Sequence, residues 1–285
     1  MSRLVMKFGG TSVGDVDRIA RVARLVAAER KAGLGLAIVV SAMAGETDKL
    51  VQLAHGVGGK GGNGAPLAAD QFDDEYDVVV SSGEQVTTGL LALALRRLGI
   101  PARSWQNWQI PFRTDRAHAK ARIADIKADA LGPSIDSGVV AVIPGFQGIT
   151  EDGRISTLGR GGSDTSAVAV AAALKAMRCD IYTDVDGVYT TDPRIVSKAR
   201  RLEKISYEEM LEMASLGAKV LQTRSVEMAM AHQVPVRVLS SFVEPGEAPG
   251  QGTIVCDEDE IMEQRIVSGV AFSRDEAKIS LFGLP

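Results

Sequence analysis

The stretch Leu4-Val5-Met6-Lys7-Phe8-Gly9-Gly10, read together with Leu36-Ala37-Ile38-Val39-Val40, decides the fold. Leu4 to Phe8 reads as a short buried strand that runs straight into two glycines. Asp15 is placed to cap a helix with Ile19, Val22, Ala23 and Val26 on one face, and Gly33 to end it. Leu36–Val40 is continuously apolar, as a strand covered on both faces must be. Strand, helix, strand within about forty residues is a βαβ unit.

The same alternation continues outward. Asp77–Val80 reads as a short strand, followed by Ser81-Ser82-Gly83-Glu84 and a long helix to Gly99. Ala102–Trp105 and Val139–Ile143 read as strands, and Glu151-Asp152-Gly153 as a hairpin turn between Ile149 and Ile155. Ser163 or Asp164 is placed to cap an alanine-rich helix through Leu174, and Cys179–Thr183 returns to the sheet. Ser206 opens a helix with Glu209 as capping-box partner, and Val236–Leu239 is a late strand. Gly56–Gly64 and Glu244–Gly252 read as loops. The fold class is α/β, a three-layer αβα sandwich around a mostly parallel sheet, whose ligands should sit at the carboxyl ends of the strands.

Composition narrows the function. The chain has 285 residues, a net charge of −4, 45% hydrophobic and 24% charged residues. These values exclude a disordered chain and a basic nucleic-acid binder. Two cysteines, Cys179 and Cys256, are too few for a disulfide framework or a zinc cluster, and they read as packed thiols in a reducing, cytoplasmic setting. The longest apolar run, Ala167–Leu174, has eight residues, where a membrane helix needs about 20. Neither a nucleic acid nor a membrane is an expected partner, and no metal-ligating cluster is expected. His55, His118 and His232 read as surface residues.

Three glycine-rich stretches end strands or open helices: Lys7–Ser12, Gly145–Gly148 and Gly159–Asp164. Each alone reads as a tight turn. Glycine also lets backbone N–H groups approach an anion, and a helix N-terminus adds partial positive charge. Three such loops in one sheet, with Lys7 and Arg160 inside them, point to a polyphosphate site. No Walker A sequence occurs, and Gly56–Gly61 matches G-x-G-x-x-G only after a helical pattern, where the match has no meaning. Locally, Glu84 reads as the capping-box partner of Ser81 or as the acceptor of a substrate ammonium, and Lys219 reads as a solvated lysine. Arg160 between glycines offers a planar fork for a carboxylate or phosphate.

Taken together these stretches resemble the aspartate kinases of the amino-acid kinase superfamily. The resemblance rests on Lys7-Phe8-Gly9-Gly10-Thr11-Ser12-Val13, Val40-Ser41-Ala42-Met43 with Thr47, and Ser82-Gly83-Glu84. It continues in Thr157-Leu158-Gly159-Arg160-Gly161-Gly162-Ser163-Asp164-Thr165, Tyr182–Tyr189 with Asp192-Pro193-Arg194, and Gly217-Ala218-Lys219-Val220-Leu221. The match runs in order from about residue 3 to residue 255.

The resemblance implies transfer of the ATP γ-phosphoryl group to the β-carboxylate of L-aspartate, the first step towards lysine, threonine and methionine. It places Lys7 and Lys219 against the transferring phosphoryl oxygens, with the N–H groups of Gly9, Gly10 and Ser41 nearby and Asp164 orienting the lysines. Arg160 would take a substrate carboxylate and Glu84 its ammonium, with Thr47, Gly161, Gly162 and Ser163 completing the substrate pocket. Thr183, Asp184, Tyr189 and Arg194 would serve ATP, and Mg²⁺ would bridge its phosphates. Residues 1–265 would form the catalytic domain, with an aspartate part over roughly 1–150 and an ATP part over roughly 151–265. Residues 266–285 would form a linker and the first strand, Ala277–Phe282, of an ACT regulatory module. This polypeptide is therefore expected to lack feedback inhibition by lysine or threonine, and to form a homodimer through the catalytic domain. A sibling kinase for N-acetylglutamate or UMP, and a silent nucleotide-binding domain, are the competing readings.

Overall fold

The computed structural model describes residues 1–59, 65–218, 220–242, 251–261 and 269–271. The first unit runs β1 (Arg3–Phe8), a 3-10 turn (Gly10–Val13), α1 (Val16–Lys31) and β2 (Gly35–Val40). Asp15 caps α1 by accepting from the Arg18 amide at 2.8 Å, and Gly33 follows the helix end in the left-handed region. Two helices follow, α2 (Glu46–Gly58) and α3 (Ala69–Arg97), and then β3 (Ala102–Ser104), β4 (Phe112–Thr114) and β5 (Ile123–Ile126). After α4 (Leu131–Asp136) come β6 (Val140–Pro144), β7 (Gln147–Ile149), β8 (Ile155–Thr157), α5 (Gly162–Ala173) and β9 (Cys179–Thr183). The remaining elements are β10 (Lys204–Ser206), α6 (Tyr207–Ser215), α7 (Thr223–His232), β11 (Val236–Ser240) and β12 (Thr253–Cys256).

Eight strands form the main sheet in the order β10-β12-β11-β9-β1-β2-β6-β3, and the run from β11 to β3 is parallel throughout. Side chains alternate across it with period two. Leu4, Met6, Phe8, Leu36, Ile38 and Val40 face one core with α1 and α3, while Val5, Ala37 and Val39 face the other with α5 and α7. The helical layers on both faces make the three-layer sandwich expected from sequence. A second sheet, β5-β4-β7-β8, was not legible beforehand apart from its β7–β8 hairpin, where Ile149 pairs with Ile155 as expected.

Alternation also positions chemistry. Lys7 follows Val5 by two and so points to the α5 face, where the first turn of α5 waits with Asp164.

Four expectations about local structure need correction. Asp77–Val80 is not a strand but the middle of α3. The β-branched run Val78–Val80 favours a strand only weakly, and burial at helical spacing of Asp77, Val80, Ser81, Glu84, Thr87, Thr88, Leu91 and Leu95 overrides it. Ser81 and Glu84 therefore cap nothing: the Ser81 hydroxyl donates to the Val78 carbonyl at 3.1 Å inside the helix. Neither Ser163 nor Asp164 caps α5, because Gly161 holds that position at φ +71°, with a Cβ excluded there by Gln222. The expected loop at Gly56–Gly64 begins as the end of α2, with residues 60–64 outside the described set.

Among the described residues, α3 alone would pass for a membrane span by length and hydropathy, yet half of its apolar window is buried within the protein and its covered face carries Asp77 and Glu84. Both cysteines are buried, and burial raises the Cys179 thiol well above its ordinary value. The expected regulatory strand Ala277–Phe282 and most of the Glu244–Gly252 loop lie outside the described residues.

Candidate functional site

The carboxyl ends of the central strands are stitched to one another by their loops. Gly9 N–H donates to the Tyr182 carbonyl at the end of β9, and Ser41 N–H to the Phe8 carbonyl at the end of β1. Gly145 N–H donates to Val40, and Ser241 N–H to Thr183. Gly10 lies so close to the β2 loop that a Cβ would stand 2.9 Å from the Ala42 carbonyl oxygen. Gly145 packs against Ser163 in the same way, bringing the start of α5 over the end of β6.

On this edge Lys7 Nζ stands 2.5 Å from Asp164 Oδ1, both side chains about one-tenth exposed. The pair fixes a cation beside the Gly9 loop: a Cβ on Gly9 would lie 3.3 Å from Nζ. Such a fixed positive charge near backbone amides is what a phosphoryl group requires.

Glu84 approaches the same edge from α3. It is 3% exposed, and its Oε1 accepts from the Ala42 amide at 3.0 Å. Its Oε2 is buried and has no partner. Burial pushes this carboxyl up to about 7, against the lowering effect of the Ala42 bond. A buried carboxylate oxygen without a donor is costly unless a cation arrives to meet it. Gly83 makes the approach possible, since a Cβ there would lie 2.8 Å from the Ala42 Cβ. Ser12 Oγ is another buried, unpartnered polar atom, one the sequence reading passed over.

Arg160 is exposed and has no hydrogen bond or ion pair among the described residues. It stands between Gly159 at φ +74° and Gly161 at φ +71°, conformations that favour glycine. Gly162 and Ser163 follow in the first turn of α5. Thr47, half-buried, lies in the first turn of α2 just after the Ala42 loop.

Asp184, Tyr189 and Arg194 line a single cleft of about 690 Å³, beyond the end of β9 where Thr183 sits. Asp186, Gly217, Ala218, Val220 and Ser240 share it, as do Val270 and Ala271, which the sequence reading assigned to a linker. Tyr189 donates to Asp186 at 3.1 Å, and burial and this bond raise its phenol. Arg194 pairs with Asp192 at 2.8 Å and is largely solvent-facing. Lys219 lies outside the described residues, though its neighbours Gly217, Ala218 and Val220 face the cleft.

Among the histidines, His118 is not a free surface residue, for its Nδ1 lies 2.8 Å from the buried Asp77 carboxylate. His55 stacks on Phe72 with ring centroids 5.1 Å apart.

The Amino acid kinase family model matches residues 2–240. The chain belongs to the amino acid kinase family. Its relatives include the aspartate kinase of Pseudomonas fluorescens (strain SBW25), 55% identical over 286 residues that cover 100% of this chain and 66% of that protein. The chain thus spans slightly less than two thirds of the length of such curated relatives. Among solved structures, E. coli aspartokinase III in complex with aspartate and ADP superposes with a TM-score of 0.76 at 33% identity, covering 90% of this chain and 64% of that one. Aspartate kinase from Synechocystis does so with a TM-score of 0.74 at 44% identity, covering 90% of this chain and 40% of that one.

Proposed function

We propose that the chain is the phosphotransferase part of an aspartate kinase, moving the γ-phosphoryl group of ATP to the β-carboxylate of L-aspartate to give 4-phospho-L-aspartate and ADP. The observation that carries this reading is the unmatched Glu84 Oε2, buried at the strand edge that also presents Lys7 and the glycine loops. A free ammonium is the complement that this oxygen lacks, which favours aspartate over an N-acetylated substrate or UMP.

The chemistry needs little beyond charge and alignment. An aspartate side chain, with pKa about 3.9, is already ionised at neutral pH, so no base is needed. One carboxylate oxygen attacks the γ-phosphorus in line; the new O–P bond forms as the bond to the β,γ-bridging oxygen breaks, and ADP leaves with that electron pair. Lys7, held by Asp164, offsets the repulsion between the two anions, with the Gly10 amide beside it, while the Gly9 and Ser41 amides, already donating to the Tyr182 and Phe8 carbonyls, brace the two loops. Glu84 takes the ammonium and Arg160 a carboxylate, with Thr47, Gly161, Gly162 and Ser163 as further hydrogen-bonding partners.

Thr183, Asp184, Tyr189 and Arg194 hold the nucleotide in their cleft, and Lys219 completes the cation set. The carboxylates of Asp186 and Asp192 are already engaged by Tyr189 and Arg194, and no trio of metal-ligating side chains clusters among the described residues. Mg²⁺ carried on the ATP phosphates would supply charge neutralisation, with Asp184 and Asp186 the carboxylates the cleft offers it. Assignment of residues 1–150 mainly to aspartate and 151–265 mainly to ATP, a cytoplasmic setting, and a homodimer belong to the same proposal.

Hydroxylamine trapping with Mg-ATP tests it. Hydroxamate from L-aspartate and none from N-acetyl-L-glutamate is the expected result. Product from N-acetyl-L-glutamate alone overturns the role of Glu84, and ATP binding without product from either substrate favours the silent domain.

A further inference from the structure

Asp77 is a carboxylate that the proposed chemistry does not use, yet it is fully buried in mid-helix. It is not idle. Its oxygens accept from the Ala119 amide at 3.1 Å, the Thr157 amide at 3.0 Å and the Thr157 hydroxyl at 2.5 Å. His118 Nδ1 supplies a further donor at 2.8 Å. We assign the shared proton to Nδ1, which matches the three other groups that donate to the Asp77 carboxyl.

These donors share one location. Thr157 ends β8, three residues before Arg160. Residues 115–121 form the loop that packs beneath that stem: Ala121 N–H donates to the Thr157 carbonyl at 2.8 Å. A Cβ on Gly159 would lie 3.2 Å from the Ala119 carbonyl oxygen. Ala119 itself is held at φ +64°, a conformation an alanine adopts only when its surroundings impose it. From the opposite side Arg224, at the start of α7, donates to the carbonyls of Leu158 at 2.7 Å and Ala121 at 2.9 Å.

Asp77 and Glu84 are seven residues apart on α3, two turns along one face. One helix therefore carries the group for the substrate ammonium and the anchor of the loop that presents Arg160. We propose that Asp77 and His118 are positioning residues for aspartate recognition: they tie the Thr157–Gly159 stem to α3 and so set the position of Arg160 relative to Glu84. This rests on the proposed aspartate-kinase reading for its substrate, but the clamp is a property of the chain itself. Neither residue touches the reacting atoms. The clamp acts on the affinity for aspartate, with little effect on the nucleotide cleft, which is built from the loops after β9.

The test compares His118→Ala with His118→Gln, whose side-chain amide can donate to Asp77 in place of Nδ1. In the hydroxamate assay, His118→Ala is expected to raise the KM for L-aspartate about tenfold or more, as small misplacements of a positioning group do. The KM for ATP and kcat should stay within about twofold, and His118→Gln should recover most of the loss. Amide hydrogen exchange over residues 158–163 should quicken in His118→Ala and return towards the parent rate in His118→Gln.

Parallel rises in both KM values together with a fall in Tm would mean a merely structural role and overturn the proposal, as would unchanged aspartate KM and loop exchange. Should the parent chain give no hydroxamate, the kinase reading fails on its own. The exchange measurement then still decides the clamp: faster and rescued exchange supports it, unchanged exchange overturns it.

Discussion

Two turns of one helix carry two buried carboxylates in opposite states. At Asp77 both oxygens are saturated by amides, a hydroxyl and an imidazole. At Glu84 a single amide serves Oε1 while Oε2 has nothing. The same side-chain chemistry at the same depth therefore does two things. A satisfied carboxylate holds its surroundings together, whereas an unsatisfied one leaves an oxygen open to the cation that we propose it receives.

The sharpest way to break this comparison is to remove each charge and measure turnover. Glu84→Gln should lower kcat/KM for L-aspartate by about 10²–10³-fold, the loss expected when one partner of a buried charge pair goes. Denaturant unfolding at pH 8 should show that variant no less stable than the parent, since no native bond to Oε2 is lost. A loss of stability with intact turnover would reverse the assignment.

Asp77→Asn gives the complementary result. Its amide group would face donors, so unfolding free energy should fall by about 2–4 kcal/mol, measured by urea titration. A variant as stable as the parent would show that the five contacts contribute little.

The pH dependence separates the two sites further. With its carboxyl pushed up to about 7, Glu84 is largely protonated in the free protein below that pH. Its ionised form is the one that meets an ammonium, so the KM for aspartate should rise as pH falls from 8 to 6, and flatten in Glu84→Gln. For stability the sign is opposite. The unfolded carboxyl ionises near 4.5, so the favourable contribution of the protonated native form is complete below that pH and is lost as pH rises through 7.

The smallest expected effect comes from Gly83→Ala. The added methyl would meet the Ala42 Cβ at 2.8 Å and push α3 off the β2 loop. A gain in helix propensity of about 1 kcal/mol offsets overpacking of similar size, so Tm should barely change. The KM for aspartate should nonetheless rise several-fold, because Glu84 moves with the backbone. Equal KM values in the two proteins would show that this close approach does not set the pocket.

Much of the scaffold was readable in advance because it depends on local patterns. Continuous apolar runs marked β1, β2 and β6, the Asp15 cap marked the start of α1, and the capping box of Ser206 and Glu209 formed as read. The glycine loops were legible as turns at the strand ends because they interrupt those runs. The misreadings share a cause. Val78–Val80 looked like a strand, and Ser81 with Glu84 looked like a cap, since both patterns are local and both are overridden when a 29-residue helix buries that face. His118 looked free because its partner lies 41 positions away in sequence.

The sequence by itself determined the βαβ alternation, the sandwich and the identity of the charged and glycine residues at the strand ends. These follow from periodicity and backbone freedom, which act over a few residues. Only the tertiary structure decided which charges are satisfied: that Lys7 meets Asp164, that Arg160 is exposed, and that of two carboxylates on α3 one is saturated and the other is not. Hydrogen-bond satisfaction depends on donors contributed by distant segments, and no local pattern records where those donors come to rest.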